Sequence, residues 1–253
     1  MRQLRLTDAW IRWADIPGST DSVRVFLHGL CAASTFDYSE IAVHPALRTT
    51  GHRSLLIDLF GFGYSDRPRD FGYTLTEHAD AVAAVLDAEH VRGAELVGHS
   101  MGGAVALVLA ARRPELVGSL TLAEANLRTG GGAWSRRIAE WEEDAFVARG
   151  LATFTSAEDD PAYLTTLRAA APHALYRSAV SLVRAGTAEL GGFLAEFPGR
   201  KAFLVGADSR PYDEEADALA AGARILTVPD AGHPMPTQNP AGYAMAVAEA
   251  SLL

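Results

Sequence analysis

Six consecutive residues near the middle of the chain, Gly98-His99-Ser100-Met101-Gly102-Gly103, set one serine between glycines placed two positions to either side. A serine hydroxyl is a weak nucleophile at neutral pH and becomes useful when a neighbouring base takes its proton. The setting suits that chemistry. An apolar run over 94–97 precedes the segment, and an apolar, helix-patterned run follows it over 101–113 until Pro114 stops it. A strand that turns at once into a helix strains the residue at the apex, and glycines at 98 and 102 remove side chains that would collide with neighbouring backbone. Gly103 lets the helix lie close to the sheet. Taken alone, Gly-x-Ser-x-Gly is a weak signal in a glycine-rich chain, so the strand–turn–helix context carries the argument.

Such a turn needs a sheet to stand on, and the rest of the chain supplies the rhythm of one. Segments 4–7 and 10–14 form an opening antiparallel hairpin, and strands follow over 23–27, 54–58, 94–98 and 119–123. A helix over 76–90 lies between two of them, with Thr76 as its cap and Ala79, Val82, Ala83, Val85 and Leu86 as its apolar stripe. Between Glu124 and Lys201 the rhythm breaks into helical patterns only. One spans 133–149 and stops at Gly150, with Trp134, Ile138, Trp141 and Ala145 in register; another opens at Asp160-Pro161 and a third at Pro172. Strands resume at 202–206 and 224–228, separated by a helix around 214–221, and a last helix runs over 239–253. The pattern predicts an α/β core made of residues 1–125 and 198–253, interrupted by an all-helical insertion at 126–197.

Composition narrows the partners. With 22 Lys+Arg against 31 Asp+Glu, the net charge of −9 and the lack of a basic run supply nothing to neutralise phosphates, which excludes sequence-independent nucleic-acid binding. The 49% apolar fraction is ample for a buried core. Charged residues among the first twenty leave no signal-peptide core, and the longest apolar run, 104–111, is too short to span a bilayer, so a cytoplasmic protein that avoids membranes is expected. Cys31 is the single cysteine and no Cys/His cluster has zinc spacing, so neither an internal disulfide nor a bound metal is expected.

Four motifs, in order, resemble those of the α/β-hydrolase fold superfamily. They are His28-Gly29-Leu30 after the third strand, Gly61-Phe62-Gly63-Tyr64-Ser65-Asp66 after the fourth, the serine turn after the fifth, and Ala231-Gly232-His233 after the eighth. The resemblance implies a mostly parallel eight-stranded sheet with helices on both faces and an all-helical lid inserted between strands six and seven. It also implies roles: Ser100 as nucleophile and His233 as base, with the backbone N–H groups of Met101 and Leu30 binding the oxyanion. Cys31 takes the place of Leu30 if the loop turns one residue later. His28, His99, His52 and His44 are read as structural, and Cys31 as a small buried residue.

The third member of the triad is open to two readings. Most relatives carry an Asp in a Gly-x-x-Asp turn after strand seven, but here that turn is Gly206-Ala207-Asp208-Ser209, with Asp208 one residue early. A second family arrangement, resembling haloalkane dehalogenases and certain lactonases, places the acid directly after strand six, where this chain has Glu124. A carboxylate ending an apolar strand is costly to bury without a partner, and His233 is the natural one, so Glu124 is preferred. The expected activity is cofactor-free hydrolysis of a small-molecule carboxylic ester or lactone, with Trp134 and Trp141 either lining the acyl pocket or packing the lid. Carbon–carbon bond hydrolysis, perhydrolysis or amide hydrolysis would use the same set, and a small-molecule receptor of the same fold is the non-enzymatic alternative.

Overall fold

The structure, a computed structural model, describes residues 1–156, 161–185 and 187–252. Its strands are β1 (Arg2–Leu6), β2 (Ala9–Ile16), β3 (Val23–Leu27), β4 (Arg53–Asp58), β5 (Ala94–His99), β6 (Val117–Ala123), β7 (Arg200–Gly206) and β8 (Arg224–Val228). They form one eight-stranded sheet in the order β1-β2-β4-β3-β5-β6-β7-β8. β2 pairs antiparallel with β1 and β4, and every pairing from β4 through to β8 is parallel. Parallel central strands are covered on both faces, which is why all six residues of β5 are buried instead of alternating in and out. One face packs the helices Leu75–Ala88 and Met101–Arg112; the other carries the C-terminal helix Pro240–Ser251 against Phe26, Leu204 and Val228. Because β3 to β8 run the same way, their C-terminal ends share one crest, and the loops there collect the candidate residues.

Between β6 and β7 the described residues form helices joined by turns and loops, with no strand, as the broken rhythm predicts. Two helices depart from the sequence expectation for reasons visible in their contacts. The helix expected to start with a Thr76 cap begins one residue earlier, at Leu75. Thr74 is its cap: Thr74 Oγ1 accepts from the Glu77 N–H at 3.1 Å, and Glu77 returns the bond to the Thr74 N–H at 3.1 Å. The helix expected over 133–149 is broken. Ala133–Ala139 ends in a tight turn, Glu142 is extended, and the chain re-enters helix at Glu143 and continues past Gly150 into Leu151–Ser156. Glu143 is drawn to Arg177 at 2.7 Å, on the neighbouring helix Pro172–Arg184. Gly150 is a packing residue and not a stop: a Cβ there would lie 2.3 Å from the Phe146 ring. The helix expected at Asp160-Pro161 runs over Pro161–Ala169, while Asp160 itself lies outside the described residues. Among the described residues no helix is long and apolar enough to cross a membrane.

Candidate active site

Ser100 joins β5 directly to the helix Met101–Arg112 and has φ 52° and ψ −120°, a conformation costly for a side-chain-bearing residue. Its surroundings impose it. The Ser100 N–H donates to the Ala123 carbonyl at 2.9 Å, tying the apex to the end of β6. A Cβ on Gly102 would lie 2.2 Å from the Leu27 carbonyl oxygen, and one on Gly98 would lie 2.6 Å from that of Gly102. The strain therefore exposes one hydroxyl at the crest while its neighbours stay buried.

His233 lies on the loop after β8, and its Nδ1 is 2.7 Å from Glu124 Oε2. A carboxylate only accepts, so Nδ1 carries the proton and the neutral ring keeps its lone pair on Nε2. The two partners differ sharply in environment: the His233 side chain is 49% exposed and that of Glu124 1%. Burial raises the pKa of the Glu124 carboxyl, but hydrogen bonds from His233 and Ser209, with a third from the Gly206 N–H at 3.0 Å, outweigh it and leave the pKa below the ordinary value. Glu124 itself has φ 40°, held by its N–H to the Leu204 carbonyl at 3.0 Å and by Tyr212 Oη donating to its own carbonyl at 3.1 Å. Asp208, the competing carboxylate, is exposed on the short turn Ala207–Ser209, and no hydrogen bond from a described residue reaches its side chain. Its neighbour Ser209, in the slot where relatives carry an acid, instead binds Glu124.

Two further histidines brace the loops. His99 Nε2 donates to the His233 carbonyl at 2.8 Å, fixing the His233 loop through its main chain. Burial first, and then the nearby His233, push the His99 pKa down to about 3, so that ring stays neutral. His28 Nε2 accepts from the Leu59 N–H at 3.0 Å, so its Nδ1 is the donor to the Gly29 carbonyl at 2.8 Å. Gly29 begins a tight turn closed by the Ala32 N–H, with Cys31 at φ 69° in its third position and buried. Leu30 sits second in that turn, facing the crest. Met101 is the first residue of its helix, so its N–H belongs to the set with no acceptor inside the helix.

Ser100 and His233 open onto one narrow cavity of about 20 Å³, room for about one water. Its other walls are Gly29 and Leu30, Asp37, the loop Pro234–Thr237, and Ala162, Tyr163 and Thr166 from the insertion. Tyr163 Oη donates to the Leu30 carbonyl at 2.9 Å. Trp134 and Trp141 do not reach this cavity. Trp134 packs behind Tyr163 and against Phe154, with ring centroids 5.6 and 5.0 Å away; Trp141 lies between Phe146 and the Arg149 guanidinium. Among the described residues, no group of three or more His, Cys, Asp or Glu could hold a metal ion.

The family profile described as alpha/beta hydrolase fold matches residues 25–184, more than half of the chain. The chain belongs to that family. A thermophilic esterase from Thermogutta terrifontis superposes on it with a TM-score of 0.80 at 18% identity, covering 98% of this chain and 97% of that one. In sequence, the chain is 38% identical over 99 residues to a probable lysophospholipase, BODYGUARD 3, of Arabidopsis thaliana, covering 39% of this chain and 20% of that protein. It is 47% identical over 70 residues to 2-hydroxymuconate semialdehyde hydrolase of Pseudomonas sp. (strain CF600), covering 28% of this chain and 25% of that protein. The sequence matches thus span a quarter or less of these two relatives.

Within the alpha/beta hydrolase fold, Asp37, Tyr163, Thr166 and Ser209 are residues of this site that motif reading does not single out as functional. Ser209 carried a signal, since it stands where an acid is usual. Tyr163 and Thr166 carried none, because they come from an insertion with no motif.

Proposed function

We propose that this hydrolase cleaves a carboxylic ester or lactone through an acyl-enzyme on Ser100. The observation that carries the reading is the His233–Glu124 contact of 2.7 Å, made beside a strained serine that opens onto the same cavity. His233 Nε2 takes the Ser100 proton as Oγ attacks the carbonyl carbon, and Glu124 stabilises the imidazolium that forms. The Met101 and Leu30 N–H groups face the oxyanion, the former with the helix dipole behind it. His233 then returns the proton to the leaving alkoxide, and water attacks the acyl-enzyme by the reverse route. The chain's own groups suffice for each step, with no resident cofactor.

One observation favours a second reading. The 47% identity over 70 residues to a semialdehyde hydrolase keeps carbon–carbon bond hydrolysis in play, since the same nucleophile and base would serve a ketone whose leaving group is a carbanion. A screen of acyl esters, lactones and vinylogous diketones, run beside fluorophosphonate labelling, separates the two. Ser100→Ala should abolish labelling and lower hydrolysis by roughly 10⁶-fold with the fold intact. Labelling at another residue, or near-normal turnover in the variant, would overturn the assignment.

A further inference from the structure

A second carboxyl shares the cavity with Ser100 and has no part in the chemistry above. Asp37 is half-buried at the end of the short helix Ser34–Asp37, on the wall facing Thr237 and the His233 loop. Its backbone N–H closes the helix onto the Ala33 carbonyl, but no side chain or cation among the described residues pairs with its carboxyl. The contrast with the adjacent Asp58 is sharp: Asp58 accepts from the Thr35 N–H and hydroxyl at 2.9 and 2.7 Å and from the Tyr64 N–H at 2.9 Å. Among the described residues no lysine or arginine lines the cavity, and its ionisable walls are Asp37 and His233 besides the neutral His99 and the Tyr163 phenol. No fixed cation among the described residues stands there to pair with an anionic substrate group.

We propose that Asp37 is a specificity-determining residue that pairs with a protonated amine on the substrate, beside the scissile acyl group. The inference rests on Ser100 being the nucleophile. An ammonium at the rim of this cavity offers the carboxylate a cation and N–H donor that no described residue does, in a charge-assisted bond stronger than a neutral one. The net charge of −9 draws cations towards the protein at longer range. The groups facing Asp37 are Asp58 at the end of β4, Tyr38 beside it, Tyr243 on the C-terminal helix and His233 across the cavity. Burial and then the Asp58 charge push the Asp37 pKa up to about 7, so the carboxyl ionises across the neutral range. Preference for a cation must therefore grow as pH rises through that range.

Two isosteric esters of butanoic acid test this: the 2-(dimethylamino)ethyl ester, a cation, and the 3-methylbutyl ester, its neutral carbon analogue. The base and nucleophile act on both, so the ratio of their kcat/KM values isolates Asp37. From about pH 5.5 to about pH 8, below the amine's own pKa, that ratio should climb about tenfold in the wild type. In Asp37→Asn the ratio should be low and flat over the same range. A wild-type ratio that does not change with pH, or an Asn variant that keeps the rise, overturns the proposal. Slow turnover leaves a second readout: N,N-dimethylaminoethanol should protect Ser100 from a fluorophosphonate better than 3-methylbutan-1-ol does, and equal protection again overturns it. If neither ester is cleaved and no probe is taken up, the reading of Ser100 fails, and this subsite with it.

Discussion

The cavity at Ser100 has two walls built on different principles. On the crest side, Ser100, Glu124 and His233 each hang from the end of a strand or from a loop pinned to one, and each is tied by main-chain hydrogen bonds to a neighbouring strand or loop. The lid side is mainly side-chain packing: Tyr163 is backed by Trp134, and Trp134 by Phe154, with Tyr163 Oη tied to the crest through the Leu30 carbonyl. Farther back the same insertion is better anchored. Leu75 N–H donates to Ser181 Oγ at 3.0 Å, His78 meets Ser178 at 3.1 Å, and Arg177 donates to the Arg69 and Phe71 carbonyls. Precision at the reacting atoms is thus placed where the backbone is over-determined, and variability where packing alone decides shape. The lesson extends to charge. Glu124, on the crest, is partnered by three donors and its pKa is held down, whereas Asp37, on the rim, has no partner among the described residues and its pKa is pushed up.

The comparison breaks most decisively at Glu124. Glu124→Gln should lower kcat by roughly 10³–10⁴-fold, because the amide no longer stabilises the imidazolium. Asp208→Asn should stay within about twofold, and the reverse order, read from steady-state kinetics of the two variants, would place the acid on the other loop. A smaller effect is expected from the lid. Trp141→Ala should cost about 3 kcal/mol in the stability of the insertion and reduce all substrates alike. A selective change between short and long acyl chains would instead bring Trp141 to the pocket. Smaller again is Tyr163→Phe, which removes the bond to the Leu30 carbonyl while keeping the ring; a loss of about fivefold in kcat, with KM little changed, is expected from a loosened oxyanion turn.

Two pH measurements sharpen the contrast between the carboxyls. The Glu124 pKa is lowered by folding, so its stabilisation is present above the unfolded-state pKa and disappears as pH falls through the folded one. Ser209→Ala removes one donor, raises that folded pKa, and should move the acid edge of thermal stability upward by about half a pH unit. Asp37 has the opposite sign. Its folded pKa of about 7 lies above the ordinary value of 3.8, so the folded state loses stability as pH rises between them. Asp37→Asn should therefore raise Tm at pH 8 and leave it unchanged near pH 3; a gain that does not depend on pH would assign the effect to packing.

Much of this was legible in the residues because the signals are local. Gly98 and Gly102 flank the serine within one turn, and the collisions that a side chain there would suffer are with the strand and helix the same segment builds or abuts. The broken rhythm after Glu124 likewise marks the insertion, since alternating strands and helices can be counted along the chain. Less was legible inside that insertion. Gly150 reads as a helix stop by propensity, yet it serves as the space into which the Phe146 ring packs. The two tryptophans keep helical spacing although the helix between them is broken, because periodicity reports which side chains face inward and not which neighbour they face.

The sequence by itself determined the elbow, the order of the strands' motifs and the candidates for acid and base, each a consequence of neighbours a few residues apart. Only the tertiary structure decided which carboxylate meets the histidine. Glu124 and His233 are 109 residues apart, and their contact depends on where β6 ends beside β7 and on how the loop after β8 folds back over both. A one-residue difference in the turn after β7 aims Ser209 at Glu124 and leaves Asp208 in solvent, because alternate positions on a turn point in different directions. Asp37 shows the same limit: nothing in its neighbours along the chain distinguishes it, and its place in the cavity comes from packing against elements found two hundred residues later.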